Sequence, residues 1–246
     1  MQVPAAAVAV TLAVALLGGC AAPSVESPAT SSGMSASGTT SVPTPSPTPT
    51  PPPAAGSAAA LLATLPIKGR APKTGYDRAA FGPAWTDNSS APGGHNGCDT
   101  RNDILRRDLV DVTLKPGTHG CLVLTGTLPD PYLGTRIPFV RGVGTSSAVQ
   151  IDHVVALGDA WQTGAQQWDA GKRVAFANDP RNLLAVDQHS NAQKRDADAA
   201  SWLPHDKAYR CAYVARQVAV KAEYGLWVTR AEHDAIAGIL AGCPGQ

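Results

Sequence analysis

The chain has 246 residues, a net charge of +1, and 43% hydrophobic against 16% charged residues, the balance of an ordinary folded chain with room for one domain plus appendages. A near-neutral charge gives no electrostatic footprint for any partner class, so any reading of nucleic-acid recognition must rest on local residues.

VAVTLAVALLGGC, residues 8–20, is an apolar run closed by small residues and Cys20. It is too short to span a membrane comfortably and has the pattern of an export signal. Its end, Leu17-Gly18-Gly19-Cys20, resembles a bacterial lipobox. That resemblance implies a signal peptide over 1–19, cleavage before Cys20, and a lipid on the Cys20 thiol holding the protein to a membrane on its outer side. A plain secreted protein is the expectation if the lipobox is not used. Residues 20–60 are then the lipidated cysteine and a linker. SVPTPSPTPTPPP (41–53) can bury almost nothing, and such a segment stays extended at roughly 3.1 Å per residue. The folded domain is expected over 61–246.

Beyond Cys20 the chain carries Cys98, Cys121, Cys211 and Cys243. An even count in an exported protein points to disulfides, and three pairings are possible. Cys98–Cys121 with Cys211–Cys243 is favoured because each closes a local loop. No CxxC spacing is present to suggest a zinc knuckle.

Along the domain, LLATLPIKG (61–69) predicts a short helix and a turn, while 76–88 and 91–97 read as loops. CDTRNDILRRDL (98–109) predicts a helix capped by Asp99 or Thr100. Strands are predicted at 111–115, 121–130, 136–142 and 149–157, with Pro116-Gly117 as the first turn. Helical segments follow at 159–169 and 172–179, separated near Gly171. A short apolar strand is predicted at 182–186 and a polar helix at 188–200. Tyr209, Tyr213, Val214, Val218 and Ala222 recur at helical spacing over 205–226, with Gly225 as the stop. Thr229 and Glu232 form a capping box that opens a last helix.

IDHVV (151–155) sets an acid and an imidazole side by side in an apolar run. Burying a carboxylate is costly unless it is paired, so Asp152-His153 is either an edge of a strand or a site. Asp152 and the amide oxygen of Asn191 are candidate ligands for a divalent cation. His153 is a candidate general base. Asn182 could hold the imidazole or the loop in place, and Lys194, one helical turn after Asn191, could contact phosphate. In an ideal strand Asp152 and His153 point to opposite faces, so a bend or the strand end must re-aim one of them.

Asp152-His153, Asn182 and Asn191-Ala192-Gln193-Lys194 together resemble the D-H…N…N-x-x-K variant of the HNH endonucleases. DHVVALGDAW, FANDPRNLLAV and DADAASWLP, with NGCDTRNDILRRDL and PGTHGCLVLTGTLPDPY upstream, are similar to a secreted actinobacterial branch of the DUF1524 family. That family is related to the C-terminal domain of the GmrSD restriction enzymes. The resemblance spans about residues 76–243. It implies an α+β fold with an HNH (ββα-metal) core, an N-terminal strand and helix extension, and C-terminal helices. It also implies a metal-dependent endonuclease acting on DNA, with RNA as the second candidate, and the near-neutral charge predicts weak, sequence-nonspecific binding through a few phosphate contacts. Asp152 and Asn191 would be metal ligands, His153 the general base and Asn182 its orienting residue. The preferred metal is Mg2+ or Mn2+, because an amide oxygen is a hard ligand.

Arg101 is a second candidate phosphate contact, through bidentate bonding. His189 competes with Asn191 as a ligand. The plainer readings are a salt bridge of Asp103 with Arg107, surface charges at Lys194 and Arg195, and core positions for Trp161, Trp168 and Trp202. His95, His119, His205 and His233 read as structural or solvent-exposed. A catalytically inactive surface lipoprotein with a binding or structural role is the alternative function. A cell-wall hydrolase lacks a suitable nucleophile or zinc set. No protein partner is predicted.

Overall fold

A computed structural model describes residues 57–243, and within them the chain is α+β. The signal peptide, Cys20 and most of the linker lie outside the described residues. Helix α1 (Ala58–Leu62) is capped by the Ser57 hydroxyl and starts slightly before the predicted domain boundary. Among the described residues no helix is long and apolar enough to cross a membrane.

A single 3₁₀ turn, Arg78–Phe81, interrupts the long loop that follows. Helix α2 (Thr100–Asp108) begins where expected, because the Asp99 carboxylate accepts from Asn102 N–H. Strands β1 (Val110–Leu114), β2 (Val123–Pro129) and β3 (Arg136–Val140) then form an antiparallel sheet in chain order.

Strand β4 (Val149–His153) pairs antiparallel with β5 (Leu183–Asp187), Asp152 lying opposite Leu184 and His153 opposite Leu183. Helices α3 (Leu157–Gln162) and α4 (Ala170–Asn178) fill the connection, and α5 (Gln188–Lys194) follows β5 directly. The LLAVD run of β5 is buried almost throughout, because this hairpin lies between two apolar clusters. Alternation sorts its side chains. Val149, Ile151, Leu183 and Ala185 meet α2 and the three-stranded sheet. Leu184 and Val186 join the cluster of α6 (Arg210–Tyr224) and α7 (Arg230–Leu240), against which α1 also packs.

Several expected boundaries move, each for a tertiary reason. Strand β4 ends at His153 and not at Leu157, because the Asn182 side chain takes the Val155 N–H out of the ladder at 2.8 Å. The helix expected over 159–169 breaks at Gly164, whose φ of +135° no helix accommodates. Asp169 then caps α4, so Gly171 lies inside that helix and does not separate two others. The helix expected over 188–200 stops at Lys194. Arg195 adopts φ +52°, and the acids beyond it are drawn into ion pairs, Asp196 with Lys73 and Asp198 with Arg70. Helix α6 starts at Arg210, later than the expected 205, behind a 3₁₀ turn at Lys207–Tyr209, but it stops at a left-handed Gly225 as expected, and α7 carries a complete Thr229–Glu232 capping box.

Cys98 pairs with Cys121 and Cys211 with Cys243. The first bridge ties the start of α2 to the β1–β2 loop. The second ties α6 to the residue just beyond α7.

Candidate active site

Asp152, His153 and Asn191 line one polar cleft of about 190 Å³, with Arg78, Arg195 and Asp196 among its other walls. The two strand residues leave β4 on opposite faces, as pleating requires, and the strand end lets both reach the cleft. Asp152 faces α5. Its Oδ1 lies 3.0 Å from Lys194 Nζ, and its Oδ2 accepts from the Tyr132 hydroxyl at 2.6 Å. Burial pushes the Asp152 carboxyl upward, while Lys194 and Tyr132 oppose that shift by favouring the carboxylate.

His153 faces α4. Its Nε2 lies 2.9 Å from the carbonyl oxygen of Ala177. A carbonyl can only accept, so Nε2 carries the proton and Nδ1 keeps its lone pair. Burial pushes the imidazole down to about 3, so it is neutral at ordinary pH. The indole of Trp85 stacks on it with ring centroids 5.8 Å apart and 14° between planes.

Asn191 sits on α5 with its Nδ2 donating to Gln150 Oε1 at 2.7 Å. That bond fixes the amide, and its Oδ1 takes no hydrogen bond from the described residues. A carboxylate and an amide oxygen on one cleft are the hard oxygen donors that Mg2+ or Mn2+ takes. Asp152 and Asn191 thus offer oxygen donors of the right kind, although both Asp152 oxygens are held by Tyr132 and Lys194 in this structure. His189, the competing ligand, is instead exposed and paired with Gln193 Nε2 at 2.9 Å.

Two expected substrate contacts are not brought to the cleft. The Lys194 ammonium is fully buried, held by Asp152 and by the His153 carbonyl at 2.8 Å. It has no face left for phosphate, and it orients the acid. Arg101 spends its guanidinium on the carbonyls of Ser146 and Val149, at 3.1 and 2.9 Å, and thereby holds the approach to β4. Asn182 is fully buried and reaches the loop and not the imidazole: its Oδ1 accepts from Val155 N–H and its Nδ2 donates to Val155 O. Arg107 pairs with Asp108 and not with Asp103, which takes Arg106 at 2.8 Å. Arg107 and Arg216 also clamp the turn before β5, both donating to the carbonyls of Pro180 and Leu183.

Arg78, Tyr132 and Trp85 were not singled out by sequence reasoning. Arg78 and Trp85 lie far along the chain from IDHVV and Tyr132 lies 20 residues before Asp152, all in segments without periodicity, and no local signal marks them. A separate buried cluster, Asp159, Asp198 and Glu232, has carboxylate spacing suited to a cation. Its cation positions are taken by Lys221, 2.9 Å from Asp159 and 2.6 Å from Glu232, and by Arg70.

The chain is 37% identical over 191 residues to an uncharacterized secreted protein of the fungus Arthroderma benhamiae, covering 77% of this chain and 86% of that one. No solved structure matches. The family model for the C-terminal domain of GmrSD restriction endonucleases matches residues 99–239, which contain Asp152, His153, Asn182, Asn191 and Lys194. Arg78 and Trp85 precede that match. The chain thus belongs to the family of the GmrSD restriction endonuclease C-terminal domain, a nuclease-related family.

Proposed function

We propose that this chain is an HNH-type, metal-dependent endonuclease that hydrolyses phosphodiester bonds of DNA or RNA without sequence specificity outside the cell. The observation that carries this reading is the one cleft lined by Asp152, by His153, whose Nε2 is engaged by Ala177 O, and by Asn191, whose Oδ1 takes no hydrogen bond from the described residues. The succession β4–β5–α5 supports reading it as a ββα core. Asp152 and Asn191 would hold Mg2+ or Mn2+, which when bound supplies charge compensation at the scissile phosphate.

The rest is done by the chain's own residues. Ala177 O holds the His153 ring so that Nδ1 can accept a proton from the attacking water. Lys194 and Tyr132 fix the Asp152 carboxylate, and Asn182 fixes the backbone that leaves His153. Arg78 and Arg195, exposed on the cleft, are the cations available to the phosphate, in place of Lys194 and Arg101. Two disulfides and a secreted relative support an extracellular setting. A lipid on Cys20 would tether the enzyme to a membrane surface.

The test is cleavage of plasmid DNA, then RNA, in Mg2+, Mn2+ or EDTA, beside His153→Ala and Asn191→Ala. Cleavage that needs metal and falls at least about 100-fold in His153→Ala is expected. A second reading, a surface lipoprotein that keeps the fold without the activity, is favoured by one observation: both oxygens of Asp152 already have partners. Inactivity of the folded wild type in every metal would decide for it.

A further inference from the structure

Beside the polar cleft lies a second, mainly apolar pocket of about 230 Å³. Phe81, Pro83, Trp85 and Leu157 form its walls, and Arg78 and His153 belong to both cavities. Whatever fills this pocket therefore sits next to the candidate general base and next to a cation that can hold phosphate.

Two further observations indicate that the pocket is built for a ligand. Asn178 lines it, is 3% exposed, and donates its Nδ2 to Val174 O at 2.9 Å. That bond fixes the amide, and the buried Oδ1 is left without a partner among the described residues. An unpaired buried acceptor is destabilising, so native proteins seldom keep one without a use. Trp85 has φ +59°, a left-handed backbone that a bulky residue rarely adopts. Its carbonyl accepts from Thr100 N–H at the start of α2, which holds the strained residue with its ring over His153. Such strain persists where surrounding structure enforces it, most often at ligand sites.

We propose that this pocket is a nucleobase subsite that receives the base flanking the scissile phosphate and so selects unpaired, single-stranded nucleic acid; the proposal rests on the phosphodiesterase reading of the adjoining cleft. A base has flat apolar faces for the aromatic and proline walls, and a small shift of the Asn178 amide would bring its sealed Oδ1 to a donor edge of the base. Its own phosphate then lies toward Arg78 and the polar cleft. A base inside a duplex must first be unstacked and flipped, whereas a base of a single strand is already available. Stacking on aromatic side chains is tolerant of sequence, which agrees with a nonspecific enzyme.

The experiment is fluorescence anisotropy with the full chain in EDTA, where no cleavage occurs. The probes are short labelled single strands of DNA and of RNA, an abasic strand with the same backbone, and a blunt duplex. Binding of at least one natural single strand about tenfold tighter than the abasic strand and the duplex is expected. Ala84→Phe, at an exposed position on the pocket rim, should fill the pocket and bring the natural strand to the abasic level. Asn178→Leu, checked for folding by circular dichroism, should reduce the same difference. Equal binding of natural and abasic strands, or full base dependence in Ala84→Phe, overturns the proposal. Metal-dependent cleavage with equal abasic binding would sink the subsite and keep the nuclease. Base-dependent binding by a protein that cleaves nothing would do the reverse.

Discussion

At the level of single residues, Lys194 shows how burial changes a role. A lysine one turn after Asn191 looks like a phosphate contact, but its ammonium lies at 0% exposure against Asp152. Removing one member of a buried pair strands the other charge, at a cost of about 3–5 kcal/mol. Lys194→Met is therefore expected to lose roughly that much stability in urea titration. A loss under ~1 kcal/mol would show that the pair is not closed as described. Tyr132→Phe removes only the 2.6 Å hydrogen bond to Asp152 Oδ2. About 1–3 kcal/mol is expected there, with the fold intact by circular dichroism. His153 and Asp152 were legible because an acid–imidazole pair in an apolar run is chemically conspicuous. Tyr132 was not, since its partner lies 20 residues away and a tyrosine in the turn-like Asp130-Pro131-Tyr132-Leu133-Gly134 stretch carries no sign of what its hydroxyl meets.

At the level of elements, the strand end decides the geometry of the cleft. Asn182 bonds the backbone N–H and C=O of Val155, so its loss leaves two buried backbone groups unpaired. Asn182→Ala should cost about 2–4 kcal/mol, read as a lower melting temperature, and should loosen the segment after His153 in amide exchange. Gly158 is a second such point. A Cβ there would lie 2.4 Å from the Asp196 carboxylate, which borders the cleft. Gly158→Ala gains helix propensity, about 0.5–1 kcal/mol, but forces Asp196 aside. Asp196 is a half-exposed side-chain end that can swing aside at small cost, so the two effects are expected to nearly cancel, and a melting temperature well below wild type would contradict that. The strands and capped helices were readable from alternation, Asp99 and the Thr229–Glu232 box. The early stops of β4 and α5 were not, because they depend on Asn182, Lys73 and Arg70 arriving from elsewhere in the chain.

At the level of the whole molecule, the buried cluster of Arg70, Asp159, Asp198, Lys221 and Glu232 joins the loop after α1 to α3, α6 and α7. It holds three acids and two bases. Burial first, then the neighbouring Asp159, pushes Glu232 up to about 7 against the pull of Lys221. An acid whose folded pKa is raised binds its proton more tightly when folded. Its stabilising protonation is complete below the unfolded value near 4.5 and is lost as pH rises to about 7. Stability should thus fall by a few kcal/mol over that window, on the order of the shift and less if the coupling is shared. Glu232→Gln keeps the helix cap but cannot titrate, so denaturation from pH 4 to 8 should show a flatter profile. An unchanged slope would assign the dependence to other acids.

The sequence by itself determined the local features: which segments form helices and strands, where Asp99 and Thr229 cap them, the motif residues on β4, β5 and α5, and a disulfide pairing favoured by short loop closure. These are set by nearest neighbours in the chain, so their physics is visible in a window of residues. Only the tertiary structure decided which of those residues reach the cleft. It buried Lys194, tied Arg101 to backbone carbonyls, turned Asn182 to the backbone, and brought Arg78, Trp85 and Asn178 beside His153. Side-chain burial and partner choice depend on contacts between segments remote in sequence, and no local pattern encodes them.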